Sequence, residues 1–256
     1  MVLAIDIGNT NIVIGSFEDE KILFIERVST NHMATDLEYA TIIKMAMNIH
    51  GFNSSMLDGA IISSVVPSLT NTMKAAIEKY ANIEVMKVSP GIKTGLSILI
   101  DNPAQLGSDL VVDAVAGINN YPVPQIIIDM GTATTVSVID KNKNYIGSMI
   151  MTGLATSRDA LTSRTAQLPK IAFEPPHNLI GKNTVDSMRN GIMYANACAI
   201  DGITERIEEE LGEKCTVIAT GGLAGVIVPL CKKKIILDDE LLLKGLMIIY
   251  NKNIAN

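Results

Sequence analysis

VLAIDIGNTNIVIGSFEDEKILFIERV at residues 2–28 and QIIIDMGTATTVSVIDKNKNYIGSMI at residues 125–150 follow one pattern. Each runs from an apolar strand into Asp and Gly, through a small polar turn, into a second apolar strand, a charged turn and a third strand. The first Asp-x-Gly is Asp6-Ile7-Gly8 and the second is Asp129-Met130-Gly131, about half the chain apart. Two copies of one supersecondary unit, each opening a half, predict two similar α/β lobes facing one another. Two copies are too few for a solenoid.

Working outward, the rest of the chain alternates helix and strand. Residues 35–50 have helical spacing with Leu37, Ala40, Ile43, Ala46 and Met47 on one side. Residues 58–65 read as a buried strand, and Pro67 suits the first position of a helix reaching Tyr80. A strand is expected at 83–88 and a helix at 105–118. A long helix is expected at 184–211, ending near Gly212. A strand at 215–219 and a last helix at about 239–250 complete the reading. Mixed sheets with helices packed on them follow from this alternation. The pattern breaks at Asn119, Asn120, Pro122 and Pro124, which predicts lobes at residues 1–118 and 119–256.

Composition narrows the function classes. The chain has 256 residues, 48% hydrophobic and 19% charged, which argues against disorder. The net charge of −6 gives no footprint for nucleic acid or an anionic membrane. An anionic substrate would therefore need local cations, metal ions or backbone N–H groups. Cys198, Cys215 and Cys231 lack metal-ligand spacing and fit a reducing, cytoplasmic setting, each read as a small buried residue. MVLAIDIGNTN has no basic start and no long apolar stretch, so it does not read as a signal peptide. His32, His50 and His177 are scattered and suggest neither a triad nor a metal site. Lys232, Lys233 and Lys234 read as a solvated turn.

The chemistry concentrates in three loops. In Asp6-Ile7-Gly8-Asn9-Thr10-Asn11, Gly8 lets backbone approach a phosphate while Asn9, Thr10 and Asn11 offer donors. Asp6 would repel phosphate and suits a magnesium ion instead. Taken alone, this loop also fits an ordinary hairpin turn. Asp129-Met130-Gly131-Thr132-Ala133-Thr134-Thr135 repeats the arrangement, with Gly131, Thr132 and Thr134 as phosphate contacts and Asp129 as the cation residue. Thr220-Gly221-Gly222 follows a strand, where paired glycines admit a flat adenine ring or simply make a strand-to-helix turn.

Together the three loops resemble the phosphate and adenosine motifs of the actin-like ATPase superfamily. The more specific resemblance is to type III pantothenate kinases. It is carried by AIDIGNTN at 4–11, SSVVP at 63–67, DNPAQLGSD at 101–109, DMGTATT at 129–135, AQLP at 166–169 and GKNT at 181–184, in the family's order. The resemblance implies a cytoplasmic homodimer that phosphorylates pantothenate with ATP. It also implies Mg2+ and a monovalent cation, K+ or NH4+, near Asp129. Asp109 falls on the family's catalytic base, with Asp113 one turn later a lesser candidate. Asn102, Gly107, Ser108 and Asp109 fall on the substrate side. Thr184 would reach substrate from the partner subunit, although it also fits a helix N-cap.

Two positions depart from the family. Leu110 stands where Gly-x-Asp-Arg has Arg, and Gly147-Ser148-Met149-Ile150-Met151-Thr152-Gly153 replaces Gly-Gly-x-Ile-x-Pro-Gly. A lost Arg removes a charge-assisted hydrogen bond worth about 1.5–3 kcal/mol, for which Arg158, Arg164 or Lys182 would have to compensate. Two alternatives therefore stand beside the leading reading: a kinase for another small alcohol, and a non-catalytic nucleotide-binding regulatory homologue.

Overall fold

The computed structural model describes residues 1–254. The chain opens with β1 (Val2–Ile7), β2 (Asn11–Glu18) and β3 (Lys21–Ser29). These are followed by α1 (Asp36–Ile49), β4 (Gly59–Ser64), α2 (Pro67–Ala81) and β5 (Val85–Lys87). Next come β6 (Ser97–Ile98) and α3 (Ser108–Asn120), then the meander β7 (Gln125–Met130), β8 (Ala133–Ile139) and β9 (Asn144–Thr152). The remainder is α4 (Leu154–Arg164), α5 (Thr184–Leu211), β10 (Thr216–Thr220), α6 (Ala224–Ile227), β11 (Ile236–Leu237) and α7 (Leu241–Ile254).

The chain divides into two units. In the first, the strand order is β3-β2-β1-β4-β5, with β1 antiparallel to β2 and parallel to β4. In the second, β9-β8-β7-β10-β11 repeats that order, with β7 antiparallel to β8 and parallel to β10. Strand β6 joins the free edge of β9. Both sheets are thus mixed, as the alternation of helix and strand predicts.

Burial explains the apolar runs. All six residues of β1 are buried because helices cover both faces of the first sheet. Leu3, Ile5 and Ile7 pack with Tyr39, Ile43, Met73 and Ile77 of α1 and α2. Val2 and Ala4 point the other way, into a cluster with Val112, Val115, Leu243 and Leu246 of α3 and α7. A strand buried on both faces reads as continuous rather than alternating hydrophobicity. In the second unit, Ile126, Ile128 and Met130 pack with Met193, Ala197 and Ile200 of α5.

Helix α1 begins with a capping box: Thr35 Oγ1 accepts the Glu38 N–H, and Glu38 Oε2 accepts the Thr35 N–H at 2.7 Å. Helix α5 ends at Gly212, whose φ of 72° only glycine adopts readily.

Several expectations are corrected. The first unit takes in residues from Leu241 onward, and Ser97–Ile100 belongs to the second unit, so the contiguous division at 118/119 differs from the observed one. The reason is that α7 shares the apolar cluster of β1 and α3; a Cβ on Gly245 would collide with the Val112 carbonyl. Leu37 is 62% exposed rather than on the buried side of α1, where Tyr39 takes its place. Helix α4 has no sequence expectation behind it, because LATSRDALTSR buries only Leu154 and shows no apolar face. Cys198 is exposed on α5, whereas Cys215 and Cys231 are half-buried, and burial pushes their thiols up to about 11 and about 12. The 232–234 turn is anchored rather than merely solvated. Lys233 Nζ donates to Glu208 Oε2 at 2.9 Å, and Asp201 accepts the Lys232 and Lys233 amides.

Candidate active site

In the first unit, β1 ends at Asp6 and Ile7, paired in parallel with Ser63 and Ser64 at the end of β4. The chain then turns through Gly8, Asn9 and Thr10 into β2. The turn closes with the Gly8 N–H donating to the Asn11 carbonyl at 3.0 Å. Thr30, directly after β3, donates its hydroxyl to the Gly8 carbonyl at 2.6 Å and its amide to the Thr10 carbonyl at 2.9 Å. Asp6 itself is buried, while Asn9, Thr10 and Asn11 are exposed.

The same strand ends receive the start of α3. Ser108 Oγ accepts the Ser64 N–H at 3.1 Å, donates to the Ser64 carbonyl at 3.0 Å and lies 3.0 Å from Ser63 Oγ. This clasp brings Asp109 to the end of the strand that pairs with Asp6. Asp109 Oδ1 accepts the Leu110 N–H at 2.8 Å. Burial raises its carboxyl above the usual range, against the lowering effect of that hydrogen bond. A Cβ on Gly107 would run into Asp109 Oδ1, so glycine there leaves the carboxylate its space. Asn102 opens the short turn Pro103–Gln105 ahead of this segment and is exposed. Buried Asp113 lies one helical turn beyond Asp109. Leu110 is 8% exposed, so position 110 contributes packing and no charge.

In the second unit, Asp129 pairs with Thr220 of β10 and with Thr135 of β8. That pairing draws the second and third loops together. Gly221 has φ +94°, and a Cβ there would collide with the Asp129 carboxylate and the Met130 backbone. Gly222 is exposed. The Gly131 N–H donates to the Ala133 carbonyl at 3.1 Å. Behind the turn, Gly153 leaves no room for a Cβ against the Gly131 and Thr132 carbonyls, and Thr156 Oγ1 donates to the Thr132 carbonyl at 2.7 Å. Thr132 is exposed, but Thr134 is 2% exposed within β8, which gives it the place of a strand residue rather than an open donor.

Thr184 is the first residue of α5 and exposed; the N-cap is Asn183, whose Oδ1 accepts the Asp186 N–H at 2.9 Å. The cap expectation is therefore off by one residue. Thr184, Lys182, Ser187 and Leu168 line a hollow of about 530 Å3. Of the cations weighed as replacements for the missing Arg, Arg158 is engaged. It donates to Asp159 at 2.8 Å and to the Ile171 carbonyl at 3.3 Å, and it lies over the Phe173 ring at 5.1 Å.

The sequence marks each loop and Ser108, but not that Ser108, Thr30, Thr156 and Gly153 hold the site in place. Thr30, Thr156, Gly153 and the Ser64–Ser108 clasp become visible only when strand pairing is known. The hints in the sequence are SSVVP at 63–67 and DNPAQLGSD at 101–109, which carry the two ends of the clasp.

The mixed sheets of the two units, with an Asp-x-Gly turn in each, define an actin-like fold. Two solved structures share the fold. The activator of the 2-hydroxyisocaproyl-CoA dehydratase from Clostridium difficile superposes with TM-score 0.56 at 14% identity, over 97% of this chain and 93% of that one. Component A of the (R)-2-hydroxyglutaryl-CoA dehydratase from Acidaminococcus fermentans gives 0.56 at 16% identity, over 97% and 96%. The type III pantothenate kinase family model matches residues 2–206. Two curated relatives carry that family's name. One, from Bacillus cytotoxicus, is 43% identical over 253 residues (99% of this chain, 97% of its own length). The other, from Halalkalibacterium halodurans, is 40% identical over 254 residues (99% and 100%). The chain belongs to the type III pantothenate kinase family.

Proposed function

We propose that this protein transfers the γ-phosphoryl group of ATP to the primary alcohol of pantothenate, forming 4'-phosphopantothenate at the start of coenzyme A synthesis. The observation that carries the reading is the match to two type III pantothenate kinases along nearly the whole chain. The placement of Asp109 supports it. A carboxylate raised by burial and held at a clasped helix start is suited to accept the hydroxyl proton as the alcohol oxygen bonds to phosphorus and ADP departs. Gly8, Asn9, Thr10 and Asn11 in one loop, and Gly131 and Thr132 in the other, would meet the phosphates. Gly221 and Gly222 would meet the adenosine. Asn102, Gly107 and Ser108 would meet the acceptor.

The donors fit the cations. Among the described residues no three His, Cys, Asp or Glu side chains form a metal cluster. Mg2+ commonly binds through one or two carboxylates together with water and substrate phosphates, which a single carboxylate at the position of Asp6 would suit. Asp129 would serve a monovalent cation, K+ or NH4+. When bound, these ions neutralise charge developing on the transferred group. A homodimer, with Thr184 reaching the partner's acceptor, completes the reading. Among the described residues no helix is long and apolar enough to cross a membrane, and the proposed setting is the cytoplasm.

Buried, uncharged Leu110 favours one second reading, a kinase acting on a different small alcohol. Purified protein with MgATP, K+ and pantothenate decides between them. ADP release with phosphopantothenate identified by mass supports the first. Product only from other alcohols in an acceptor screen supports the second, and nucleotide binding without transfer to any acceptor removes both.

A further inference from the structure

A phosphate site made of backbone N–H groups has a built-in hazard. Each peptide that donates also carries a carbonyl oxygen, and an oxygen turned towards the phosphate repels it. The two turns of this chain meet the hazard in the same way, with a hydroxyl that comes from outside the turn. In the first, Thr30 takes the Gly8 carbonyl with its hydroxyl at 2.6 Å and the Thr10 carbonyl with its amide at 2.9 Å. In the second, Thr156 takes the Thr132 carbonyl with its hydroxyl at 2.7 Å. The hydroxyl lies 22 residues from its carbonyl partner in one case and 24 in the other. In both units the threonine comes after the third strand of the meander, Thr30 directly after β3 and Thr156 in the first turn of α4 beyond β9, and the clamped carbonyls are those of Gly8 and, one position further along its motif, Thr132. Neither threonine belongs to an Asp-x-Gly motif.

We infer that Thr30 and Thr156 are positioning residues that hold carbonyl oxygens away from the phosphates, leaving the turns to present N–H groups. The inference rests on the kinase reading and adds to it two residues that touch no substrate. Thr30 carries the larger effect, because its bond is half-buried while that of Thr156 is exposed to water and partly replaceable by it. Valine matches the shape of threonine and removes only the hydroxyl, while serine keeps the hydroxyl.

The test is calorimetric binding of ADP and of adenosine to the wild-type protein and to Thr30→Val, Thr30→Ser and Thr156→Val. Expected is about tenfold weaker ADP binding for Thr30→Val and about threefold for Thr156→Val. Adenosine should stay within about twofold in both, and Thr30→Ser should restore ADP binding. Equal weakening of ADP and adenosine, or no change in either, overturns the inference while wild-type ADP binding keeps the kinase reading. Wild-type protein that binds no ADP overturns both. Should Thr30→Val fail to fold, Thr156→Val on its exposed helix decides by the same comparison.

Discussion

The two Asp-x-Gly turns share a sequence pattern and a threonine clamp, and they differ in what else frames them. The first is framed by hydroxyls: Thr30 behind the turn, and Ser108 clasped to Ser64 beside it. The second is framed mainly by missing side chains: Gly153 presses on the Gly131 and Thr132 carbonyls, and Gly221 presses on Asp129 and Met130. A hydrogen bond gives way gradually when one atom is removed, and water can take part of its place. A backbone contact that excludes a Cβ admits no such compromise. The first turn should therefore tolerate substitution in its frame better than the second.

The largest effect tests a residue outside both frames. Asp109→Asn should lower turnover by about 10²–10⁴ with a normal melting curve, and a wild-type rate would remove Asp109 from the mechanism. Because burial raises the Asp109 carboxyl and the ionised form is the base, the acid limb of the pH–rate profile should lie above that of an ordinary Asp. A limb at or below the ordinary Asp value would contradict that placement.

The comparison itself is tested next. Gly221→Ala forces a side chain into a φ +94° position against Asp129. Strain of this kind costs about 1–3 kcal/mol. Nucleotide affinity should fall by on the order of tenfold or more, read by ADP titration. Ser108→Ala removes one hydroxyl and should cost about 1 kcal/mol, a several-fold loss in turnover with ADP affinity intact. If Ser108→Ala proves worse than Gly221→Ala, the contrast between the two frames fails.

The smallest expected effect on activity lies at Glu208. Its side chain is 7% exposed and accepts from Lys214 at 2.7 Å, Lys233 at 2.9 Å and the Cys215 amide at 3.2 Å. Although burial opposes it, these donors bring its carboxyl down to about 2 from 4.5. A lowered folded-state value means stabilisation that is complete above about pH 4.5 and is lost as pH falls towards 2. Glu208→Gln should lose about 1.5–3 kcal/mol near neutrality, seen in urea melts, with activity per folded molecule unchanged. The gap between variant and wild type should close under acid; a gap that persists below pH 2 would disprove the linkage.

Much of this was legible beforehand. The apolar runs around Asp6 and Asp129 announced two strands buried by helices, and Pro67 and Gly212 marked a helix start and a helix end because their backbone preferences are local. Helix α4 was illegible because it shows no apolar face. Leu37 misled because helical spacing around α1 fits it, while the core was filled by Tyr39 instead.

Sequence by itself determined the repeated strand-turn-strand pattern, the three glycine-bearing loops and the carboxylates Asp6 and Asp129 that open two of them, since each depends on neighbours within a few residues. Tertiary structure decided that α7 returns to the first core, that Ser108 carries Asp109 to the strand end of Ser64, and that Thr30 and Thr156 restrain the two turns. Those contacts join residues 22 positions apart or more, and they form only when strands and helices distant in sequence pack together.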